Sequence, residues 1–409
     1  MLSRRGKRVH PPNKILMPTF LPDWAPNAHP LIMHFPIALL FAAAGFDLVG
    51  ILARDKGGWR NGANWLYAVG ALATLATWYS GTLAADSVFL PARANALLTE
   101  HADLGKWTMW LFCGYGVVRS GLSFTPLAQK GAMRVGLFLI GAASLSLLAW
   151  TATHGAELVY RYGVGVEAVE TRPSAPVISE SNPETGIATT SDGWLWTPAR
   201  AAAWKQDAVF LEGSADDLKS SIVDGGERGD VFEFSVSSPS LFVLPGDVDR
   251  LQADLSIDVS DFDGTVYVAH HVTEDASFGF TALASTTIRL GRTEKSDLIV
   301  EATEAFDGSD WRDIRVVVDG AHFRSYVDTK LVVHGHGAAY DVGRVGLRLN
   351  GTGVVRLASM HIVDLGLAAA GAEAADDATM EALPGAEDDH EESADHEHGG
   401  ADEPEPANK

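Results

Sequence analysis

The stretch HPLIMHFPIALL, His29–Leu40, sets two histidines and two prolines at the start of a long apolar run. Histidine is costly in an apolar helix, and proline removes a backbone donor. Pro30 suits a first helical turn, where a missing N–H has no partner to lose. Pro36 falls in or just past that turn and predicts a kink as the helix begins. The run stays apolar to Leu52. That is enough to cross a bilayer core of ~30 Å, which takes about 20 residues.

Three further runs of that kind follow, over residues 64–85, 104–122 and 133–153. Trp65, Trp78, Trp107, Trp110 and Trp150 stand near their ends, as an interfacial aromatic belt would. The pattern predicts a four-helix transmembrane bundle over residues 27–167. The loop after the first run holds Arg54, Lys56 and Arg60, and that after the third holds Arg119, Lys130 and Arg134. The loop between, residues 86–103, is neutral to acidic. The positive-inside rule then places loops one and three in the cytoplasm and both chain ends outside. The basic, proline-broken tail 1–26 runs against that orientation, and it lacks the apolar region of a cleavable signal. Asp47, near the inner end of the first helix, reads as snorkelling to the interface or paired with a loop arginine.

On this topology His29, His34, His101 and His154 all fall at the outer membrane level. Membrane-edge histidines are candidate functional residues, and neutral imidazole is a common metal ligand. Facing histidines of a bundle can hold a haem iron. That makes haem b the favoured cofactor, with His34, His101 and His154 as ligands, His29 in second rank and Arg161 as the partner of a propionate. The same three histidines could instead hold copper or zinc. Each alone also suits a capping or interhelical hydrogen bond, in which case no cofactor is bound. The functional expectation is a membrane redox or cofactor-binding subunit, with a redox partner protein. The alternative is a non-catalytic membrane-tethered module that binds glycan or protein.

The motifs HPLIMHFPIALL, HADLGKW and HGAELVYRYGVGV resemble the bacterial four-helix membrane family catalogued as domain of unknown function 2231. The resemblance spans residues 27–167 and matches His29, His34, Phe35, Pro36, His101, Leu104, Gly105, His154, Leu158, Tyr160 and Gly163. The family often has a Gly-Gly pair after the fourth-helix histidine, where this chain has Gly155-Ala156. What the resemblance implies is architecture and those matched positions, with no activity attached; the expected location is the bacterial inner membrane.

Residues 168–193 are rich in Pro, Ser, Thr and Glu and read as a linker. From 194 to 365 short alternating runs such as DVFEFSVSS, GTVYVAHHV and GRVGLRLN are punctuated by Gly, Asp and Asn, predicting an antiparallel β-sandwich outside the membrane. VVVDGAHFRSYVD predicts a hairpin turning at Asp319-Gly320. The stretch from Trp311 to Leu365 resembles the closing strands of concanavalin-like sandwiches, the laminin G and keto-disaccharide hydrolase group. That resemblance implies glycan binding or cleavage. Asp261, Asp263, Asp310 and Asp313 read as turn residues. His270 and His271, being adjacent, are expected on opposite faces of a strand.

The tail 366–409 is acidic and low in complexity, with His390, His396 and His398 among its acids, and reads as disordered. Its 14 acidic residues supply much of the net charge of -22, which excludes a nucleic-acid partner on general electrostatics. The single cysteine, Cys113, leaves no intrachain disulfide and no cysteine-based metal site.

Overall fold

Pro36 decides how the chain enters its first long helix. Its missing N–H would have met the carbonyl of Ile32, and the helix breaks there. In the computed structural model a single turn, α1 (His29–Ile32), is separated by Met33 from α2 (His34–Leu52). The structure describes residues 27–54, 58–166, 178–181, 187–198, 204–294 and 297–370. The basic tail 1–26, most of the expected linker and the acidic tail from 371 onward lie outside the described residues.

Three longer helices follow: α3 (Gly58–Ala85), α4 (Asn95–Ser123) and α5 (Gly131–Tyr160). They pack in sequence, and α5 returns to α2 to close a four-helix bundle. Small residues let the helices approach, as in membrane bundles. A Cβ on Gly70 would lie 2.6 Å from Leu40, and one on Gly116 would lie 3.1 Å from the Cβ of Ala71. The centre holds Leu40, Ala43, Tyr67, Phe112 and Leu148, while Trp65, Leu72, Trp107, Trp110 and Val117 face outward.

Only part of the four-span expectation meets the test of length and apolarity. His29–Leu52 and Gly131–Tyr160 are long and apolar enough to cross a membrane. The sequence of α3 is diluted by Arg60, Asn61 and Asn64, and that of α4 by Glu100, Asp103, Lys106 and Arg119. Both helices are nonetheless long enough, and both carry outward-facing tryptophan.

Beyond the bundle lies an antiparallel β-sandwich of sixteen strands among the described residues. Its spine is β16 (Gly343–Asp364). The first half of β16 pairs with β9 (Phe262–Val272) and β7 (Ser240–Val248). The second half pairs with β8 (Leu251–Asp258), β6 (Asp230–Val236) and β3 (Gly193–Trp196). From β9 one sheet continues through β10 (Gly279–Ala284), β11 (Thr287–Glu294) and β12 (Asp297–Ala305). From β8 the other continues through β13 (Arg312–Asp319), β14 (His322–Val327) and β15 (Lys330–His336). A strand that serves two sheets must bend between them. The bend falls at Gly353, with φ 121°, where a Cβ would lie 2.3 Å from the carbonyl of Asp261.

Between the sheets sit Trp196, Trp204, Phe232, Phe234 and Phe242, with the inward aliphatics of β8, β13 and β16. The sandwich begins earlier than residue 194: β1 (Ile178–Ser181) and β2 (Ile187–Thr190) lie inside the expected linker and pair on towards β3. The β-branched Ile-Ala-Thr-Thr of β2 can join a ladder even amid Pro- and Ser-rich neighbours. The hairpin of β13 and β14 is present, with Asp319 opposite His322 and the turn at Gly320-Ala321.

Candidate functional site

The histidines read from the sequence are split by the fold. His29 and His101 meet edge to face, with ring centroids 6.5 Å apart. His29 Nδ1 is 3.1 Å from Ser80 Oγ, and its ring rests against Gly81. His101 Nδ1 donates to the carbonyl of Thr151 at 3.0 Å, and its ring rests against Gly155. His154 is not a terminal cap, because α5 continues to Tyr160. Its Nδ1 donates to the carbonyl of Trp150 at 2.9 Å, and its Nε2 is 3.6 Å from Glu100. His34, ranked first from sequence, is exposed, whereas His29 is half-buried. Arg161 donates to Glu157 one turn earlier, at 2.6 Å. His34, His101 and His154 are not brought into one ligand set, and the haem and electron-transfer expectations gain no support from this arrangement.

At the other end of the bundle Arg119 is buried, not a loop residue. It donates to Asp47 at 2.5 Å, to Asn64 at 2.8 Å and to Tyr115 at 2.8 Å, and lies over the ring of Tyr67. Asp47 is therefore paired, with an arginine of α4. Arg134 also lies inside a helix, α5, and donates to the carbonyl of Gly50 at 3.0 Å. A buried guanidinium and carboxylate persist where further hydrogen bonds satisfy them.

The sandwich docks on the segment between α3 and α4. Arg315 of β13 lies over Phe89, 4.0 Å from the ring centroid, and donates to the carbonyl of Leu90 at 2.6 Å. Phe89 meets Tyr326 edge to face, and Thr99 donates to Asp319 at 2.5 Å. Asn95 donates to Gln252 at 3.3 Å. These residues come from helix, loop and sheet, and their sequence separations of 157 to 237 hide the contact from local pattern reading.

Within this junction β14 and β15 bring three histidines together. The register sets His322 opposite His336 and Arg324 opposite His334. Ring centroids are 4.7 Å apart for His322 and His336, and 4.5 Å for His334 and His336. One ligand atom from each lies within 4.8 Å of the others, which makes this the three-histidine group among the described residues. Asp86 of the bundle lies 3.0 Å from His334 Nδ1. Burial pushes the His322 imidazole down to about 4, helped by the positive charge of Arg324, and burial also lowers His336. Sequence reading missed this group; its signal was the spacing HFRSYVDTKLVVHGH, which a second hairpin, β14–β15 turning at Asp328-Thr329, folds onto itself.

A second feature is the outward face of β6, β16, β8 and β13. Arg356 donates to Glu233 at 3.0 Å, Asp258 at 3.2 Å and Asp261 at 2.8 Å, and these acceptors, Asp261 foremost, raise its already high pKa. Arg228 donates to Ser256 and Asp313, both at 2.7 Å, and lies 5.7 Å from the ring centroid of the half-buried Trp311. Arg315 completes the strip through Asp254 at 2.6 Å. Asp313 is thus a strand residue and Asp261 an arginine partner, not merely turn formers.

His270 and His271 overturn the expectation of opposite faces. His271 has φ 51° at an irregularity in the β9–β16 register, and such a bulge turns adjacent side chains to one side. His271 Nε2 donates to the carbonyl of Asp249 at 2.9 Å, leaving its Nδ1 to accept from His270 Nδ1 at 2.9 Å. Both rings pack against Tyr340, and burial holds both below the usual imidazole range.

The fold and these sites define a helical membrane domain that carries a β-sandwich. Residues 25–168 match the family described as "Predicted membrane protein (DUF2231)". No curated protein matches the chain. Among solved structures, a carbohydrate-binding module, CBM66, from Bacillus subtilis is similar at 14% identity and TM-score 0.30, covering 38% of this chain and 96% of that one. A Bacillus subtilis protein of unknown function with a galectin-like fold is similar at 10% identity and TM-score 0.33, covering 41% and 94%. The Caenorhabditis elegans galectin LEC-6 is similar at 13% identity and TM-score 0.25, covering 32% and 94%.

Proposed function

We propose that the protein is a four-pass bacterial inner-membrane anchor that presents a non-catalytic, glycan-binding β-sandwich at the periplasmic face. The observation that carries the reading is the polar strip Glu233–Arg356–Asp258–Ser256–Asp313–Arg228 beside Trp311. A neutral polyol needs donors and acceptors already held in place, because ordering flexible side chains on binding costs affinity. Guanidinium–carboxylate pairs supply both kinds of group in a fixed plane, and the carboxylates of Asp261 and Asp313 remain exposed to solvent. An aromatic face beside such groups covers the apolar C–H surface of a sugar ring.

The outward tryptophans of α3 and α4 support four spans over two, since a polar environment would leave them costly. The sandwich and the α3–α4 segment share one end of the bundle; Arg54 and Lys130 at the opposite end support an outer position for it by the positive-inside rule. A topology reporter fused after Tyr160 and another after Ala53 should be active on opposite sides of the membrane; activity of both on one side would refute the four-pass anchor. Binding is tested by retention of the detergent-solubilised chain on immobilised polysaccharides, with Arg356→Ala as the comparison.

A further inference from the structure

We infer that His322, His334 and His336 form a binding site for one divalent transition metal of the zinc type, with its orienting carboxylate supplied by Asp86 of the membrane bundle.

The tautomer argues this first. A carboxylate can only accept, so the 3.0 Å contact with Asp86 places the His334 proton on Nδ1. His334 Nε2 is then a lone pair, and it is buried with no hydrogen-bond partner. A buried unpartnered acceptor is rare in a folded protein. A carboxylate on one imidazole nitrogen with a metal on the other is how ligating histidines are held and made more basic.

The ligand geometry argues it second. Bonds of ~2.0–2.1 Å to a tetrahedral zinc put the nitrogens about 3.3 Å apart. One imidazole nitrogen of each histidine already lies within 4.8 Å of the others on two paired strands, near that separation. Three imidazoles without thiolate suit zinc or copper and not magnesium or calcium. Three protein ligands also leave the fourth position open.

Arg324 argues what fills that position. It is 2% exposed, two residues from His322 on the same face of β14, and its Nε and Nη1 have no hydrogen-bond partner. An anionic fourth ligand on the metal would provide the hydrogen-bond acceptor that this buried guanidinium lacks. Asp103 and Lys106 of α4 also act on this cluster through their charges. Because one orienting group belongs to the bundle and the ligands to the sandwich, the metal joins the two.

The test uses the full chain, purified in detergent through a histidine-free tag, stripped with a chelator and titrated with Zn2+ against a colorimetric competitor. One zinc binds per chain. His336→Ala, an exposed position on β15 whose loss leaves the melting transition in place, abolishes that equivalent. Asp86→Asn weakens it by ~10–100-fold. Replacing His390, His396 and His398 by alanine leaves it unchanged. The inference is overturned if His336→Ala binds zinc as the wild type does, or if the tail substitutions remove the equivalent. It is equally overturned if the stripped protein binds inorganic phosphate and no zinc.

Discussion

Arg315 of the sandwich stacks on Phe89 of the bundle, 4.0 Å from guanidinium carbon to ring centroid, and donates to the neighbouring Leu90 carbonyl at 2.6 Å. One side chain thus crosses from sheet to membrane domain while Asp254 holds its other edge at 2.6 and 3.2 Å. The sandwich is fixed to its anchor by this clamp, with Thr99–Asp319 and Phe89–Tyr326 beside it.

Arg315→Ala should loosen the junction without unfolding either part. Amide exchange across residues 86–94 is expected to rise several-fold, with the bundle core unchanged. Arg315→Lys should not restore protection, because an ammonium lacks the planar fork that stacks and bonds at once.

The Asp47–Arg119 pair makes an asymmetric prediction. Asp47→Ala leaves a buried guanidinium without its anion and should cost about 3–5 kcal/mol. Replacing both residues by apolar side chains, as Asp47→Leu with Arg119→Met, should recover much of that loss. Thermal unfolding in detergent reads both variants.

Gly353→Ala places a Cβ 2.3 Å from the Asp261 carbonyl at a backbone φ of 121°. Lost backbone freedom and a moved strand should together cost about 2 kcal/mol or more. For a domain of this size that lowers the melting temperature by roughly 4–8 °C. An unchanged melt would mean that β16 does not need its bend there.

Acid should open the junction of the metal-stripped chain. His322 is held down to about 4 against an ordinary value near 6.5, and His336 is lowered too. The unfolded chain therefore binds more protons between those two values, and stability falls as pH drops from about 6.5 towards 4. His270 and His271 add to the loss in the same direction. Protease susceptibility of the β14–β15 hairpin, followed from pH 7.5 to 5, is expected to increase; a flat profile would contradict the lowered His322 and His336.

How much of this was legible in the sequence depends on the range of the signal. Helix runs, strand alternation and the Asp319-Gly320 hairpin are local; the four helices and the hairpin were placed, but the apolar runs fell six to nine residues short of Gly58, Asn95 and Tyr160, where polar residues extend the helices. The kink followed from Pro36 alone. Arg119 was misplaced because hydropathy cannot distinguish a loop cation from one neutralised by Asp47 across the bundle. His29 was ranked below His34 because the single turn α1, which carries it back over Ser80, has no separate sequence mark. His270 and His271 were assigned opposite faces by strict alternation, which a bulge at His271 cancels. The histidine group depends on the register of the β14–β15 hairpin and the polar strip on register between distant strands, and Asp86 meets His334 across 248 positions of chain. No periodicity records such pairings.

Glycan binding is proposed for the polar strip of the anchored sandwich. It is tested most directly by affinity chromatography of the detergent-solubilised full chain over a panel of immobilised polysaccharides, run in parallel with Arg356→Ala and Trp311→Ala. The wild type is expected to be retained on at least one polysaccharide and both variants to lose that retention, with their melting transitions preserved. Passage of the wild type through every column, or equal retention of all three proteins, would contradict it.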